Sequence, residues 1–413
     1  MNITTFNKIL AIIFLMCYAY QSIYLLIPLF KINLVKNKID DKPNKYAILI
    51  AARNEEKVIG NLIDSIKASN YPSDLVDIYV GADNCSDNTA KVCREKGVTV
   101  FERFNKVDIG KGYVLNFLLK NIKELGKEYD AYMVFDADNI LDKNFIFEMN
   151  RVFNQGYQVI TSYRNSKNYG DNWLSAGYGL WYMHESSHLN ASRMAIGSSC
   201  AISGTGFLVD SKLMDKYDGW NFFLLTEDIE FTMENITSGT KIGYAGKAIV
   251  YDEQPTDFKQ SYYQRLRWSK GFLQVFHKYG LKLIRGIIDG DWSSFDMTMN
   301  YAPAAIISAI SIIVNLYYII KQFILNGSYM YLLKQFGMLA YGMYITLFII
   351  SAVTTLMNWK KIYCPIYKKI LYTFTCPLFL ITYLPIAIIA IFKKVSWKPI
   401  NHSRGMTLEQ IKK

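Results

Sequence analysis

Two carboxylates one residue apart, Asp136 and Asp138, follow an apolar run at residues 131–135. The run predicts a buried β-strand, and ligands of open α/β sheets bind beyond the carboxyl ends of the strands. Mg²⁺ is usually held by one or two protein carboxylates and completes its shell with substrate phosphates. The pair therefore predicts a site for Mg²⁺ and a nucleotide. A second pair with this spacing, Asp289 and Asp291, follows no predicted strand, and a solvated turn is the alternative for either pair.

Three further groups lie where predicted strands end or helices begin. Asp83 follows the strand predicted at 76–82, and Glu55 follows the strand at 46–52, so either carboxylate can accept hydrogen bonds from a base or a ribose. Lys111, between two glycines, opens a predicted helix, where the helix dipole favours an anion such as a diphosphate. The flanking spacing is not that of a P-loop.

The adjacent acids Glu227 and Asp228 follow Thr226 in a loop before a predicted helix. A carboxylate within hydrogen-bond reach of an attacking hydroxyl can remove its proton as a general base. The alternative is a capped helix start, because acids are favourable in the first turn of a helix. The residues alone leave both interpretations open.

The segment Gln264-Arg265-Leu266-Arg267-Trp268 combines an amide, two guanidinium groups and a flat ring. Guanidinium groups suit phosphates, and the indole ring offers an apolar face to a sugar. The alternative is a packed helix with a solvated basic face. The arginines can also meet lipid headgroups, because a basic amphipathic stretch follows and predicts a helix in the membrane interface. For that stretch, a helix facing the core of the soluble domain is the alternative.

Residues 184–188 read His-Glu-Ser-Ser-His, the H-E-x-x-H pattern of zinc peptidases, in a region with helical spacing. Both histidines would lie on one helix face with Glu185 as a base. No clear third ligand follows, since the remaining histidines are His277 and His402. We therefore expect this helix to line a substrate cleft or to bond locally, and keep a zinc peptidase as an alternative.

Strands alternate with helices between residues 46 and about 270, which predicts an α/β fold with a mostly parallel, doubly wound sheet. Apolar segments long enough to span a bilayer flank this region, and hydrophobic residues make up 51% of the 413-residue chain. The predicted domains are an N-terminal transmembrane helix at 8–30, an α/β domain at 45–269, an interfacial region at 270–300, a transmembrane region of about three segments at 302–392 and a basic tail at 393–413.

The net charge of +11 comes from residues that are scattered or lie beside apolar segments. No nucleic-acid-binding module is recognisable, so we expect no nucleic-acid partner. Lysines cluster beside the apolar segments, and such clusters mark the cytoplasmic side of a membrane protein. We therefore predict a multi-pass protein of the cell membrane with a cytoplasmic α/β domain. The lysines are Lys31, Lys36, Lys38, Lys42 and Lys45 after the first segment, and Lys360, Lys361, Lys368 and Lys369 before the last.

The last apolar segment conflicts with this charge bias. A third C-terminal crossing would place the basic tail outside the cell, although the tail carries lysines and arginine. Pro377 and Pro385 leave room for a broken or re-entrant segment. The side of the tail therefore stays open.

The order of the motifs resembles the membrane-bound family 2 glycosyltransferases, which include cellulose, mixed-linkage glucan, chitin, hyaluronan and poly-N-acetylglucosamine synthases. The matching motifs are an acid after the second strand, D-x-D, T-E-D and Q-x-x-R-W, and the residues are Asp83, Asp136, Asp138, Asp228, Gln264, Arg265, Arg267 and Trp268. The resemblance covers about residues 45–300, and the membrane part only as architecture.

This resemblance implies a GT-A fold, a UDP-sugar donor and a divalent cation, Mg²⁺ or Mn²⁺. It implies that Asp83 contacts the uridine and that Asp138, with Asp136, holds the metal and the diphosphate. Asp228 would be the catalytic base. The implied reaction is a direct displacement that inverts the anomeric carbon and gives a β-linkage.

By the same resemblance, Trp268 lies at the acceptor end, and Gln264, Arg265 and Arg267 lie near the diphosphate. Because Q-x-x-R-W is associated with processive enzymes, we expect a growing polysaccharide that passes through the bilayer. UDP-glucose is favoured because the segment continues Ser-Lys-Gly-Phe. The alternatives are a synthase that uses UDP-N-acetylglucosamine and a non-processive enzyme that adds one sugar to a lipid. The chain is shorter than bacterial cellulose synthases, and an accessory membrane subunit stays open.

Overall fold

The computed structural model describes residues 3–30, 41–301, 303–326, 329–400 and 402–413. Lys31, Lys36 and Lys38, which contribute to the predicted orientation, lie outside the described residues. The strands are β1 (Tyr46–Ala52), β2 (Val76–Asp83), β3 (Thr99–Arg103), β4 (Ala131–Asp136), β5 (Ile140–Leu141), β6 (Val159–Ser166), β7 (Phe207–Asp210) and β8 (Ile242–Asp252). The helices are α1 (Ile3–Leu26), α2 (Ile59–Lys67), α3 (Thr89–Glu95), α4 (Lys111–Glu124), α5 (Phe145–Phe153), α6 (Trp173–His184), α7 (Ala191–Ala195), α8 (Ser211–Lys216), α9 (Glu227–Thr237), α10 (Phe258–Ile288), α11 (Trp292–Tyr301), α12 (Pro303–Asn326), α13 (Tyr329–Met357), α14 (Ile366–Ile381), α15 (Tyr383–Phe392) and α16 (Leu408–Ile411).

The strands form one eight-stranded sheet in the order β3-β2-β1-β4-β7-β6-β8-β5. β1 pairs in parallel with β2 and β4, as the alternating pattern predicts. β7 is antiparallel to both β4 and β6, and β5 is antiparallel to β8. In the described part of the chain, four of the seven strand pairings are parallel and three are antiparallel, so the sheet is mixed with a parallel majority. β7 was missed because it is short and directly follows a Gly- and Ser-rich segment.

Helices α2 and α4 pack closely on this sheet and position the sheet edge at which the predicted site residues lie. The apolar residues Ile59, Leu62, Ile63 and Ile66 of α2 recur at helical spacing and are buried. α4 approaches β2 so closely that a Cβ on Gly81 would lie 2.5 Å from a methyl group of Val114. This contact brings the amino end of α4 to the carboxyl ends of the strands.

Three apolar helical segments are long enough to cross a membrane by length and composition, namely Thr5–Phe30, Phe336–Met357 and Ile366–Phe392. A shorter apolar stretch, Ile310–Leu325, lies within α12. The last segment is not one helix, because α14 ends at Ile381 and α15 begins at Tyr383. Pro385 lacks the N–H that would continue the helical hydrogen bonds across this point. The interruption is the single residue Thr382, near Pro385, whereas Pro377 lies inside α14.

The broken segment lies against the α/β domain. A Cβ on Gly177 of α6 would overlap the ring of Phe379 in α14. The Arg265 side chain of α10 donates to Thr382 Oγ1 (2.6 Å) at the break. α14 and α15 therefore pack along the face of the domain from which the spans emerge.

The amphipathic helix differs from the expected interfacial helix. It is continuous with the Q-x-x-R-W segment, because α10 runs from Phe258 to Ile288. Its apolar residues Val275, Tyr279 and Leu283 are buried against α9 and α11. The stripe expected to face lipid thus faces protein, because α9 supplies an apolar partner surface. Leu281 and Ile288 remain exposed on the other side.

Candidate active site

A cavity of about 770 Å³ begins at the carboxyl ends of β1, β2 and β4. It continues past α9 and α10 into an apolar space between α1, α12, α13 and α15. Most of the predicted site residues line it, namely Glu55, Asp83, Lys111, Asp136, Asp138, Asp228, Gln264, Arg267 and Trp268. Residues that are far apart in the sequence therefore share one continuous space.

At the polar end, Asp83 is buried at the last position of β2. Its Oδ1 accepts a hydrogen bond from Arg103 Nη1 (2.6 Å), and Arg103 also donates to the Asp108 carbonyl. This ion pair fixes the carboxylate at the sheet edge. A nucleoside entering the cavity can therefore meet an acid whose orientation is already set.

Lys111 lies at the first position of α4, behind Gly110, whose φ of 144° suits glycine. Its Nζ donates to Asp136 Oδ1 (2.5 Å) and to the Gly204 carbonyl (2.8 Å). Burial lowers the pKa of Lys111, but the carboxylates of Asp136 and Glu227 raise it more, so that it lies above its usual value. The ammonium group is therefore charged and close to the place predicted for a diphosphate.

Asp138 faces a second buried carboxylate, Asp252 at the end of β8. Burial raises the pKa of Asp252, but the charge of the Arg164 guanidinium lowers it more, so that this pKa lies below its ordinary value. Arg164 Nε lies 2.8 Å from Asp252 Oδ2. Burial and the charge of Asp252 raise the pKa of Asp138 well above its ordinary value. Because two adjacent carboxylates repel each other, a cation beside them is favourable. The Glu253 N–H donates to Asp138 Oδ2 (2.7 Å) and orients it.

The C-terminal tail closes this end of the cavity. His402 Nδ1 lies 2.9 Å from Glu55 Oε1, and Trp397 stacks over the guanidinium of Arg53. Burial lowers the pKa of His402, but the carboxylates of Asp138 and Glu55 raise it more, to about 10. The tail is held by α16, whose Leu408 and Ile411 pack against β5 and β8.

The donor set fits a hard divalent cation. Asp138 and Asp136 offer carboxylate oxygens two residues apart in the sequence, and both line the cavity. The raised pKa of His402 keeps its ring protonated, so His402 contributes positive charge to this end of the cavity and not a metal ligand. Within the described parts of the chain, no three His, Cys, Asp or Glu side chains already converge as a preformed metal cluster. Mg²⁺ needs only one or two protein carboxylates, because substrate phosphates and water supply the other ligands.

Glu227 and Asp228 begin α9 and project into the middle of the cavity. The capping alternative is not supported for Thr226, whose side chain makes no cap hydrogen bond. Burial and the adjacent Asp228 raise the pKa of Glu227 to about 7. Burial also raises the pKa of Asp228, although Lys111 and Arg267 oppose the shift. Both side chains are half-buried, and a carboxyl with a raised pKa is suited to act as a general base near neutral pH.

Three residues of the Q-x-x-R-W segment line the cavity, whereas Arg265 does not. Arg267 Nη1 donates to the Leu225 carbonyl (2.8 Å), next to the acidic loop. Trp268 packs edge-on against Tyr178, with ring centroids 5.8 Å apart. Arg265 is buried and donates to Thr382 and to the Phe379 carbonyl. The expectation that Arg265 lies near the diphosphate is therefore corrected, because its guanidinium group binds the break between α14 and α15.

Among the described residues, the H-E-x-x-H segment gathers no third His, Cys, Asp or Glu ligand for a metal ion. Burial lowers the pKa of His184 to about 3 and that of His188 to about 4, so both rings are neutral. Their centroids lie 5.3 Å apart. Glu185 points away into the cavity and accepts a hydrogen bond from Ser203 Oγ (2.8 Å). This agrees with the expectation that the helix lines a cleft or bonds locally.

Sequence reasoning missed the roles of Arg164, Asp252 and His402, all of which line the cavity. Arg164 lies inside β6 and Asp252 ends β8, so an acid at the end of a predicted strand was an available signal for Asp252. Nothing local marks Arg164 or His402. The contact of His402 with Glu55 joins residues 347 positions apart.

Several curated proteins resemble the chain in sequence. Residues 43–271 match the family described as glycosyltransferase like family 2. A probable glycosyltransferase of Bacillus subtilis, YdaM, is 27% identical over 66% of this chain and 67% of its own length. A beta-monoglucosyldiacylglycerol synthase of Synechocystis is 25% identical over 56% of this chain and 48% of its own. A poly-beta-1,6-N-acetyl-D-glucosamine synthase of Staphylococcus epidermidis is 24% identical over 55% of each chain. The chain therefore spans about half the length of the last two relatives.

Among solved structures, the mannosyltransferase PcManGT from Pyrobaculum calidifontis, in complex with GDP-Man and Mn²⁺, is similar with a TM-score of 0.58. The likeness covers 92% of this chain and 97% of that chain at 13% sequence identity, so it shows the fold alone. Because the family match covers more than half of the chain, the protein belongs to the family 2 glycosyltransferases and has their GT-A, Rossmann-like α/β domain.

Proposed function

We propose that the protein is a processive, inverting glycosyltransferase that builds a β-linked polysaccharide from a UDP-sugar, with UDP-glucose and a β-glucan favoured. One observation carries the proposal. A single cavity joins the acids at the sheet edge, the half-buried acid Asp228 and the ring of Trp268, and then opens between the apolar helices. A donor bound at the polar end can therefore meet an acceptor that enters from the membrane end.

The proposed reaction is one displacement. Asp228 removes the proton of an acceptor hydroxyl, and the oxygen of that hydroxyl forms a bond to the anomeric carbon from the face opposite the diphosphate. The bond between the anomeric carbon and the diphosphate oxygen breaks, and UDP leaves with the electron pair. Lys111 and Arg267, which line the cavity, would stabilise the negative charge on the leaving group.

A divalent cation, Mg²⁺ or Mn²⁺, would be held by Asp136 and Asp138 and would supply electrostatic stabilisation of the leaving diphosphate. The raised pKa of Asp138 beside Asp252 supports this assignment, because two crowded acids gain from a neighbouring positive charge. Asp83 and Glu55 would bind the uridine side of the donor. The role of Lys111 requires that it leave Asp136 in part when the diphosphate arrives.

We propose that the α/β domain lies on the cytoplasmic side of the cell membrane. The tail supports this, because its residues Trp397 and His402 contact the α/β domain and so lie on the same side as that domain. α12 and α13 would cross the bilayer out and back, and the broken pair α14 and α15 would lie at its surface. The basic tail then agrees with the positive-inside bias. An accessory membrane subunit stays open.

A second candidate is transfer of one sugar to a membrane lipid. It is favoured by the apolar side chains that line the membrane end of the cavity, among them Ile313, Met343, Leu347, Leu384 and Ile388. Acyl chains fit such a lining better than a hydrated polysaccharide does. The relatives that make glucosyldiacylglycerol support the same candidate. A synthase that uses UDP-N-acetylglucosamine is supported by the Staphylococcus relative.

The test is turnover of purified full-length protein in detergent with Mg²⁺ or Mn²⁺. UDP-glucose, UDP-N-acetylglucosamine and, as a donor control, GDP-mannose are supplied separately, and nucleoside diphosphate release is measured together with product mass. We expect release from UDP-glucose and a high-mass, glucanase-sensitive product. A glycolipid of one added sugar would replace the first candidate with the second. Turnover of no UDP-sugar would contradict both.

A further inference from the structure

The acid of the H-E-x-x-H segment has no role in the site described above. Glu185 is the first residue of a π-helical turn, Glu185–Asn190, that joins α6 to α7. Such turns occur frequently at functional sites. The Glu185 side chain is buried, and it lines the same cavity as Asp228 and Trp268. A carboxylate in this place is costly unless something in the cavity uses it.

The peptide Ser203-Gly204 fixes Glu185 relative to the reacting groups. Ser203 Oγ donates to Glu185 Oε2 (2.8 Å), and the Ser203 carbonyl accepts from Arg164 Nη1 (2.6 Å). The Gly204 carbonyl accepts from Lys111 Nζ (2.8 Å). A Cβ on Gly204 would lie 3.7 Å from Asp228 Oδ2. Glu185 and Asp228 are thus on two sides of one short, well-bonded segment.

The carboxylate of Glu185 has acceptor capacity left. A carboxylate offers about four lone-pair positions, and the hydrogen bond from Ser203 uses one. Burial raises the pKa of the Glu185 carboxyl, while Ser203, Arg193 and Arg164 oppose the shift. A sugar presents several adjacent hydroxyl donors. An acceptor whose attacking hydroxyl meets Asp228 would bring a neighbouring hydroxyl towards Glu185.

We propose that Glu185 binds the acceptor sugar by accepting a hydrogen bond from a hydroxyl next to the one that Asp228 deprotonates. The inference rests on the proposed glycosyl transfer and adds the residue that selects and orients the acceptor. Water needs no second hydroxyl to reach the anomeric carbon. Loss of Glu185 therefore weakens transfer to the acceptor more than hydrolysis of the donor.

The experiment uses full-length Glu185→Gln, which keeps the size of the side chain and removes its charge. UDP release from UDP-glucose and glucose incorporated into product are measured in the same reaction. For the wild type we expect about one glucose incorporated per UDP released. For Glu185→Gln we expect incorporation to fall about tenfold or more, the factor for one hydrogen bond to a charged group, whereas UDP release by hydrolysis, measured without an acceptor, stays close to the wild-type rate. The ratio of incorporation to acceptor-free hydrolysis therefore falls by about the same factor. If Glu185→Gln incorporates glucose at the wild-type rate and keeps the wild-type ratio of incorporation to hydrolysis, the inference is overturned.

Two further variants separate recognition from folding. Glu234→Gln changes a half-buried acid of α9 that lies 3.8 Å from Lys282 Nζ of α10 and does not line the cavity, and it is expected to keep the wild-type ratio. Ser203→Ala leaves the charge of Glu185 but removes its orienting hydrogen bond, so a smaller shift in the same direction is expected. If Glu185→Gln fails to fold, a wild-type ratio in Ser203→Ala would overturn the inference.

A deoxy-acceptor series tests the contact directly. Octyl β-glucoside and its monodeoxy derivatives are compared as acceptors for the wild type and Glu185→Gln. We expect one deoxy position to raise the acceptor KM of the wild type and to have little further effect in the variant, because both changes remove the same hydrogen bond. Additive effects at every position would overturn the inference. If the wild type transfers to no acceptor at all, the proposed function fails first, which is a distinct result.

Discussion

The two ends of the cavity are built differently. At the sheet edge, Asp83, Lys111 and Asp252 are each fixed by a short ion pair to another buried or half-buried group. At the membrane end, the lining consists of aliphatic side chains from helices that are not part of the sheet. The polar end has the residues for phosphate chemistry, and under the proposed function the apolar end would select the acceptor. Reaction type and acceptor class would then depend on separate parts of the chain.

The largest expected effect lies at the polar end. Asp138→Asn removes the carboxylate assigned to the cation, and we expect UDP release to fall about 100-fold or more, since a cation supplies several kcal/mol of charge stabilisation. Asp291→Ala, in the second D-x-D pair, is the matched control. Asp291 accepts from the Ser293 and Ser294 N–H groups at the start of α11, so its loss should cost about 1 kcal/mol of stability and leave turnover unchanged. Equal losses of turnover would contradict the assignment.

The two arginines of Q-x-x-R-W provide the next test. Arg267→Met should raise the KM for UDP-glucose about tenfold or more, because a charged hydrogen-bond donor near the diphosphate is lost. Arg265→Met should leave that KM unchanged and lower the melting temperature in detergent, since Arg265 holds Thr382 and Phe379. A raised KM in Arg265→Met, together with an unchanged KM in Arg267→Met, would contradict the positions that the structure gives to these two side chains.

The pH dependence tests the burial of the acid pair. A general base acts in its deprotonated form, so activity is present above the pKa of Asp228 and is lost as the pH falls through it. Because burial raises that pKa, the acid limb of kcat/KM should lie above the usual range of a carboxyl group. Because burial and the Asp228 charge raise the pKa of Glu227 to about 7, Glu227 is already protonated where Asp228 titrates, and Glu227→Gln should leave the acid limb in place. An acid limb that moves in Glu227→Gln would instead assign the limb to Glu227.

The smallest effect is expected at the apolar end. Ile388 lines the cavity, whereas its neighbour Ile389 is 39% exposed on the outside. If the acceptor carries acyl chains, Ile388→Gln should raise the acceptor KM several-fold and Ile389→Gln should not, because only the first places a polar amide against the chain. The same KM for both variants would favour a hydrated polysaccharide acceptor.

The fold and much of the site could be predicted because their signals are local. The strand ending at Asp136 and the helix opening at Lys111 each show in a few adjacent residues, and both elements begin as predicted. Asp289 and Asp291 share the D-x-D spacing but follow a helix, so the preceding strand was the informative feature.

The rest depends on contacts between distant parts of the chain. Arg265 and Arg267 are two residues apart on one helix, and only the packing of α14 and α15 decides which of them meets the cavity. The amphipathic stripe of α10 has the same pattern whether it faces lipid or α9. His402 reaches Glu55 because α16 docks on the sheet edge, which no local pattern indicates.

The central claim is that Asp228 is the base of a glycosyl transfer in this cavity. The most direct measurement compares wild type and Asp228→Asn for UDP-glucose binding by calorimetry and for UDP release in the presence of Mg²⁺ or Mn²⁺. We predict binding within about twofold of wild type and turnover reduced about 10²- to 10⁴-fold, the contribution of a general base. Wild-type turnover in Asp228→Asn, with binding intact, would contradict the account.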